Sequence, residues 1–216
     1  AFEYVAPDAA SHFHCNVVPK PSPKDIEQMV SAYYAEHASV YDNQDLQVLK
    51  RNRYTAAIDA RIVQCLMDLN KEKPVQKVMH FACGTGRRAA SIRQLAALPY
   101  AMHGVDLCAE MAEQADGRGL RVQVTSLIDI DPHQARQDFD VITLLYAYGH
   151  LPNRSIRKHV LHVAHQMLRP GGQFIFDVFD VSDPGEWGPD SIRQYKEQRL
   201  AAQGYEEGDV FYKRSN

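Results

Sequence analysis

The stretch that most constrains the fold runs from Val78 to Gly86, where a short apolar segment leads directly into a Gly-x-Gly turn. After the turn, residues 87–98 carry alanine, isoleucine and leucine at helical spacing, so the pattern predicts a strand, a tight turn and a helix start. Glycine has no Cβ atom, and a ligand can therefore lie against the backbone beside the free N–H groups of the helix. The turn alone is also compatible with a plain connection.

A second signal is the acidic residue Asp106, which follows Gly86 by 20 residues and comes directly after the apolar segment 102–105. A carboxylate at that spacing, after the second strand of a βαβ unit, can accept hydrogen bonds from both hydroxyls of a ribose. The turn and Asp106 together predict a nucleoside-bearing cofactor that lies across the first two strands.

From Pro74 onward, predicted strands and helices alternate. Strands are expected at 76–81, 101–105, 121–125, 139–145 and 173–178, with helices at 87–98, 108–115 and 155–167. The apolar run after Asp138 and Asp140 suits a strand that is buried on both faces of a parallel sheet. The alternation predicts an α/β fold with a doubly wound, Rossmann-like and mostly parallel sheet, whose ligands bind at the carboxyl ends of the strands. A further helix is expected at 190–202 and a candidate sixth strand at 210–214.

The residues before this core, 1–73, predict an N-terminal arm and a helical lid ahead of a cofactor-binding core at 74–216. Four prolines discourage helix within residues 1–23. Helices are expected from Pro23 to about Tyr34 and over about 46–69, because their apolar residues keep helical spacing. This segment is in a position to cover the cofactor cleft.

Composition excludes several classes of partner. The 216 residues carry a formal net charge of −3, so no basic excess is present to hold nucleic acid. The four cysteines are scattered, which is typical of reduced thiols in an intracellular protein rather than of disulfides or zinc ligands. With neither a charged leader nor an apolar run of about 18 residues, we expect a cytoplasmic protein without membrane segments. The histidines at 12–14 and 159–165 are expected to lie in solvated segments, with no metal site.

Six motifs, in order and spacing, resemble those of the class I S-adenosylmethionine-dependent methyltransferases that act on small molecules. They are residues 78–86, 105–107 with Met111, 126–129, 139–142, 146–151 and 168–172, and a weaker match lies at 38–42. The resemblance covers about residues 75–180. It implies S-adenosylmethionine as the cofactor, a small-molecule methyl acceptor, and transfer to nitrogen or oxygen.

The resemblance also implies roles for individual residues. The amino-acid part of the cofactor would lie at His80, Ala82, Cys83, Gly84 and Gly86, the ribose at Asp106, the adenine between Leu107, Met111, Ser126 and Leu127, and the transferred methyl group near Tyr146. His150 is the candidate general base, because imidazole titrates near neutrality. Tyr41 is expected to orient the acceptor.

The sequence departs from the family pattern at three of these positions. The family usually has an acidic residue at position 80, a glycine at 82 and an acidic residue at 126, where this chain has His80, Ala82 and Ser126. The family sheet also has seven strands, whereas one candidate strand follows the fifth here. A sheet edge left unpaired would favour either a homodimer or a segment that covers the edge.

Three alternatives remain open at this point. One is another transferase that uses S-adenosylmethionine on the same fold, such as an aminopropyl transferase. Another is an NAD-dependent oxidoreductase, although the turn lacks the third glycine of the dinucleotide pattern. The last is a catalytically silent binding module, because fold alone does not decide function.

Overall fold

The computed structural model describes residues 19–43, 53–178, 180, 182 and 188–209. By its internal contacts the chain divides into two compact units, one of residues 25–177 and the other of residues 1–24 with 178–216. The predicted arm before residue 19, the start of the second predicted helix and the candidate strand at 210–214 lie outside the described residues. A domain boundary after residue 73 stays a prediction.

A parallel five-stranded sheet forms the centre of the larger unit. Its strands are β1 (Lys77–Phe81), β2 (Ala101–Asp106), β3 (Leu120–Val124), β4 (Phe139–Leu144) and β5 (Leu168–Phe176). The strand order is β3-β2-β1-β4-β5, and every pair is parallel. The predicted doubly wound sheet is therefore confirmed, and the strand order reverses between β1 and β4, where open sheets of this kind bind ligands.

Helices flank the sheet. They are α1 (Pro23–His37), α2 (Arg53–Glu72), α3 (Arg87–Ala96), α4 (Ala109–Asp116) and α5 (Arg154–Met167), with short 3₁₀ helices at Pro132–Ala135 and Tyr148–His150. The Asn153 side chain caps α5 by accepting a hydrogen bond from the Ile156 N–H at 2.9 Å. Helix α3 ends before the predicted Leu98, because Ala97 turns to a positive φ of 52°. None of the described helices has the length and apolar character needed to cross a bilayer.

The core lies on both faces of the sheet, and β4 contributes to each. Val141 packs with Ile92 and Leu66 in one cluster, while Ile142 packs with Val160 and Met167 in another. All six residues of β4 are buried. The prediction of a strand covered on both faces is confirmed, and each large aliphatic side chain buried there contributes about 1.5–3 kcal/mol.

The start of β5 differs from the prediction of a turn at 168–172 followed by a strand at 173. Leu168 already pairs with Phe139, and the next pair is Gln173 with Val141. The chain therefore advances five residues along β5 while it advances two along β4. The extra residues form a bulge in which Gly171 takes a φ of 81°. Arg169 within the bulge pairs with the buried Asp140. The predicted turn is thus a bulge inside the strand, and β5 begins at residue 168.

The smaller unit contains α6 (Gly188–Glu197) and a 3₁₀ helix at Leu200–Gln203. Lys20 joins the N-terminal segment of this unit to its C-terminal segment. The Lys20 N–H donates to the Gln203 carbonyl at 2.9 Å, and the Lys20 ammonium pairs with Asp209 at 2.5 Å. Helix α6 ends five residues before the predicted position 202.

Candidate functional site

A cavity that opens to solvent lies at the carboxyl edge of the sheet, where residues after β1, β2, β3 and β4 meet helix α1, and the empty space in it and at its opening is about 850 Å³. We call it the large cavity. Ten of the predicted site residues line it: Tyr41, Ala82, Gly84, Asp106, Leu107, Met111, Ser126, Leu127, Tyr146 and His150. The remaining three lie elsewhere, because His80 and Cys83 line a neighbouring cavity and Gly86 lines neither.

Asp106 ends β2 and connects the glycine turn to helix α4. One carboxylate oxygen accepts the Gly84 N–H at 2.7 Å, and the other accepts the Cys108 N–H at 2.9 Å. Burial raises the pKa of Asp106, while the hydrogen bonds from these two N–H groups and from that of Leu107 act in the opposite direction. The carboxylate also lines the large cavity, where its remaining acceptor capacity is available to a ribose hydroxyl.

The glycine turn has a left-handed backbone at three positions. Ala82, Gly84 and Gly86 have φ values of 48°, 53° and 74°. Ala82 therefore keeps the conformation that suits a glycine, at a cost of about 1 kcal/mol. A Cβ atom on Gly86 would come within 2.9 Å of Ala115, so this glycine serves the contact with α4 and does not face a cavity.

Helix α1 brings a carboxylate to Ser126, which sequence reasoning missed. Ser126 is buried, donates its hydroxyl proton to Glu27, and accepts the Ile128 N–H at 3.0 Å. Glu27 lies 99 residues away in sequence. Glu27, Val30 and Tyr34 all line the large cavity, and their spacing puts them on one face of α1. The helical spacing of these three residues is the sequence signal from which their shared face could have been predicted.

The candidate base His150 has a tyrosine partner that was also missed. Its Nε2 atom lies 3.2 Å from the Tyr34 hydroxyl, and the two rings meet edge to face. Burial lowers the pKa of His150, so the imidazole is neutral over a wider pH range than in water. Tyr41 packs its ring 5.8 Å from that of Tyr34, and burial raises the pKa of Tyr41. Two tyrosines and a histidine thus form one wall.

A second cavity adjoins the first, and we call it the small cavity; the empty space in it and at its opening to solvent is about 580 Å³. The two share Tyr41, Ala82, Gly84, Leu145 and Tyr146. His80 lies in its wall, buried, with Nδ1 2.8 Å from the Thr143 hydroxyl. Burial, with a smaller contribution from His103, lowers the pKa of His80 to about 4. His80 is therefore a neutral cross-strand partner of Thr143.

Arg88, at the start of α3, also lines the small cavity. Its guanidinium pairs with Asp59 of α2, at 3.2 Å from Nε and 2.5 Å from Nη2, and stacks 5.0 Å from the Tyr146 ring centre. The Tyr146 hydroxyl lies 2.6 Å from that of Thr55, also on α2. Tyr146 itself has a positive φ of 56°. These contacts fix α2 against the mouth of the site.

Asp42 joins the segment after α1 to the glycine turn. Its carboxylate accepts from the Thr85 hydroxyl at 2.7 Å and from Arg118 at 2.6 Å, and it pairs with Arg87 at 3.3 Å. Nearby, Ala38 packs against Cys108 and Met111 of the α4 region. The segment therefore rests directly on the loops that bear the predicted cofactor residues.

Metal binding has no support in the part of the chain that the structure describes, where no group of histidine, cysteine and acidic side chains is arranged to hold an ion. His159 on α5 instead makes a 3.1 Å contact with the Ile128 carbonyl.

Residues 49–209 match the sequence model of a family described as a methyltransferase domain. No sequence among the curated proteins matches the chain significantly. The fold is similar to that of several solved structures. One is the DhpI–SAM–HEP complex, with 22% identity, a TM-score of 0.53, and coverage of 87% of this chain and 74% of the other.

Another is the 1,6-didemethyltoxoflavin-N1-methyltransferase from Burkholderia thailandensis, with 21% identity, a TM-score of 0.53 and coverage of 78% and 68%. A third is the sugar N-methyltransferase KedS8 from a Streptoalloteichus species, with 20% identity and a TM-score of 0.51. That match covers 66% of this chain, which spans 55% of the length of KedS8. At these identities the likeness concerns the fold.

Proposed function

The chain belongs to the methyltransferase domain family, and from that premise we propose that it transfers the methyl group of S-adenosylmethionine to nitrogen or oxygen of a small molecule. The observation that carries the proposal is the large cavity, which joins the Asp106 carboxylate to the Tyr34–His150 pair. The lining of this cavity thus offers both an acceptor for ribose hydroxyls and a base beside an orienting hydroxyl.

The described residues fit the cofactor. Asp106 would accept the ribose hydroxyls, and Leu107, Met111 and Leu127 would border the adenine. Glu27, held by Ser126, would accept from the adenine amino group in place of the acidic residue that the family usually has at 126. The left-handed backbone at Ala82 and Gly84, together with His80 and Cys83, would lie beside the amino-acid end.

Bound S-adenosylmethionine would supply a methyl group on a positively charged sulfur. The protein's part is to hold the acceptor atom in line with that group and to exclude water, which needs little further chemistry. His150 would remove the acceptor's proton, because burial keeps its imidazole neutral and able to accept one. Tyr34 would fix the orientation of His150, and Tyr41 that of the acceptor.

A small acceptor is supported by the way α1 lies over the site, since Glu27, Val30 and Tyr34 line the cavity from that helix. The lack of a net positive charge argues against a nucleic-acid substrate. A cytoplasmic location stays a prediction, supported by the free thiols of Cys65, Cys83 and Cys108. A homodimer through a sheet edge also stays a prediction.

The proposal is tested by binding and then by turnover. Calorimetry should show binding of S-adenosylmethionine and S-adenosylhomocysteine in preference to NAD, and mass spectrometry of ligand released from the purified protein should find one of the first two. A panel of small amines and alcohols should then yield S-adenosylhomocysteine with at least one acceptor. Binding of NAD alone would overturn the proposal, and cofactor binding without turnover on any acceptor would favour a silent binding module.

A further inference from the structure

Tyr146 lines both cavities and has a backbone conformation that is unfavourable for its residue type. It comes shortly after the end of β4, and its φ is 56°. A bulky residue with a left-handed backbone is strained, because its Cβ atom crowds the chain. Such a conformation persists only where surrounding groups hold it, and it is concentrated at functional sites. The groups that hold Tyr146 are therefore candidates for a role in the reaction.

The backbone of Tyr146 is held by Asp177, the residue that directly follows β5. The Oδ1 atom of Asp177 accepts the Tyr146 N–H at 2.7 Å. The Asp177 N–H in turn donates to the Leu144 carbonyl at 3.4 Å, which extends the pairing of β4 with β5 by one residue. The two hydrogen bonds fasten the end of β5 to the chain on both sides of Leu145. Asp177 thus fixes the path of the chain as it leaves β4.

The second oxygen of the Asp177 carboxylate shows that this residue is not the best choice for stability alone. Its Oδ2 atom is buried and has no hydrogen-bond partner in the part of the chain that the structure describes. A buried polar atom without a partner is costly, and in a native structure it calls for an explanation. The strained Tyr146 and the half-satisfied Asp177 meet in one hydrogen bond, which points to a function for that contact.

The ring of Tyr146 is held by two further elements. The Arg88 guanidinium, at the start of α3, stacks 5.0 Å from the ring centre, and the buried Thr55 of α2 has its hydroxyl 2.6 Å from that of Tyr146. With its backbone fixed by Asp177, the side chain has one place, where the two cavities meet. A shift of about 1 Å in a group beside reacting atoms can lower a rate by about 10²-fold.

We propose that Asp177 is a positioning residue for methyl transfer, which accepts the Tyr146 N–H and thereby keeps the Tyr146 ring where the two cavities meet. This inference rests on the proposed function and on the expected place of the methyl group near Tyr146. Asp177 lines neither cavity, so it acts through Tyr146 and not on a ligand. An amide oxygen accepts the same hydrogen bond, so the negative charge of Asp177 is not required.

The first arm of the test follows the Tyr146 ring by NMR, without any ligand, in protein with ¹³C-labelled tyrosine rings. The protein has 11 tyrosines, and the Tyr146 signal is the one that Tyr146→Phe removes. We expect Asp177→Ala to shift and broaden this signal and Asp177→Asn to leave it close to its wild-type position. Asp180→Ala, a change at an exposed carboxylate close by in sequence, should have no effect. An unchanged signal in Asp177→Ala would overturn the proposal.

The second arm measures turnover with an acceptor that the panel of amines and alcohols identifies. Asp177→Ala should lower kcat by about 10²-fold and change the KM of either substrate by no more than a few-fold. Asp177→Asn should restore most of the rate. In a double-mutant cycle, Asp177→Ala should cost little once Tyr146 is replaced by alanine, because its effect passes through that residue.

A purely structural role for Asp177 gives a different result. The melting temperature of Asp177→Ala would then fall while kcat, measured well below that temperature, stays at the wild-type value. That outcome, or an equal loss of rate with and without the Tyr146 ring, would overturn the proposal. If Asp177→Ala does not fold, Asp177→Glu replaces it in both arms, since it moves the acceptor oxygen by one methylene. If no acceptor is methylated, the proposed function fails, while the NMR arm still decides whether Asp177 holds Tyr146.

Discussion

The Tyr34 hydroxyl lies 3.2 Å from Nε2 of His150, so a residue of helix α1 and a residue that follows β4 share one hydrogen bond at the wall of the large cavity. The pair joins residues 116 positions apart in sequence. Because Tyr34 occupies one ring nitrogen, it fixes the orientation of the imidazole and helps to select its tautomer.

Replacing His150 by alanine should lower turnover by about 10²–10⁴-fold and leave cofactor affinity within a few-fold, because a lost general base affects the proton transfer alone. Since burial lowers the pKa of His150, the acidic limb of the wild-type rate profile should lie below the pKa of free imidazole. Steady-state kinetics across pH measure both. Tyr34→Phe is the control for orientation and should cause a smaller loss. Wild-type rates in the alanine variant at every pH would remove His150 from the mechanism.

Replacing Asp106 by alanine should weaken S-adenosylhomocysteine binding by at least about tenfold, because hydrogen bonds to a charged group contribute about 1.5–3 kcal/mol each. The melting temperature should also fall, since the Gly84 and Cys108 N–H groups lose their acceptor. Calorimetry and thermal melting separate the two effects. An unchanged dissociation constant would mean that Asp106 does not contact the ribose.

Glu27→Gln should reduce the preference for adenine over hypoxanthine in the cofactor, because the carboxylate that accepts from the amino group becomes an amide. The measurement compares S-adenosylhomocysteine with S-inosylhomocysteine, in which a carbonyl replaces that amino group. Glu36→Gln is the matched control on an exposed position of the same helix. If Glu27→Gln and Glu36→Gln prefer S-adenosylhomocysteine over S-inosylhomocysteine to the same extent, the adenine does not contact Glu27.

The buried His80 should make stability depend on pH. Its pKa is about 4 in the folded protein and about 6.5 when unfolded, so the unfolded chain binds more protons between these values. The free energy of unfolding is therefore fully retained above pH 6.5 and falls as the pH drops toward 4, by up to about 3 kcal/mol. Denaturant melts at a series of pH values give the free energy of unfolding, and its slope against pH over this range should be steeper for wild type than for His80→Gln. If the two plots of unfolding free energy against pH are parallel, the lowered pKa of His80 is contradicted.

Asp42→Ala should loosen the segment after α1, because it removes the acceptor of Thr85 and the partner of Arg118. Amide exchange of residues 38–43 and 84–88 should accelerate, and cofactor affinity should fall by several-fold. Hydrogen-exchange mass spectrometry measures the first and calorimetry the second. Asp116→Ala serves as the control on α4. Unchanged exchange in both segments would show that Asp42 does not hold them together.

The central part of the fold could be predicted from sequence because its signals are local. Strands β1, β2 and β4 are short apolar runs, and the Gly-x-Gly turn and Asp106 follow two of them at a fixed spacing. The sequence predicts a turn where β5 has its bulge, because the same Pro-Gly-Gly composition suits both, and only the pairing with β4 distinguishes them.

The partners within the site could not be predicted in the same way, because they depend on how α1 and α2 pack. Glu27 meets Ser126 and Asp59 meets Arg88 across long sequence separations, and an isolated carboxylate on a helix indicates no particular partner. The helical spacing of Glu27, Val30 and Tyr34 does show a shared face. It does not show which loop that face will cover.

The left-handed backbone at Ala82 has a consequence for how this protein would evolve under heat. Every alanine codon becomes a glycine codon by one nucleotide change, and glycine relieves the strain of a positive φ. A library of random point mutants selected for survival at raised temperature should therefore recover glycine at position 82 early. Such a clone would carry the residue that the related methyltransferases usually have there.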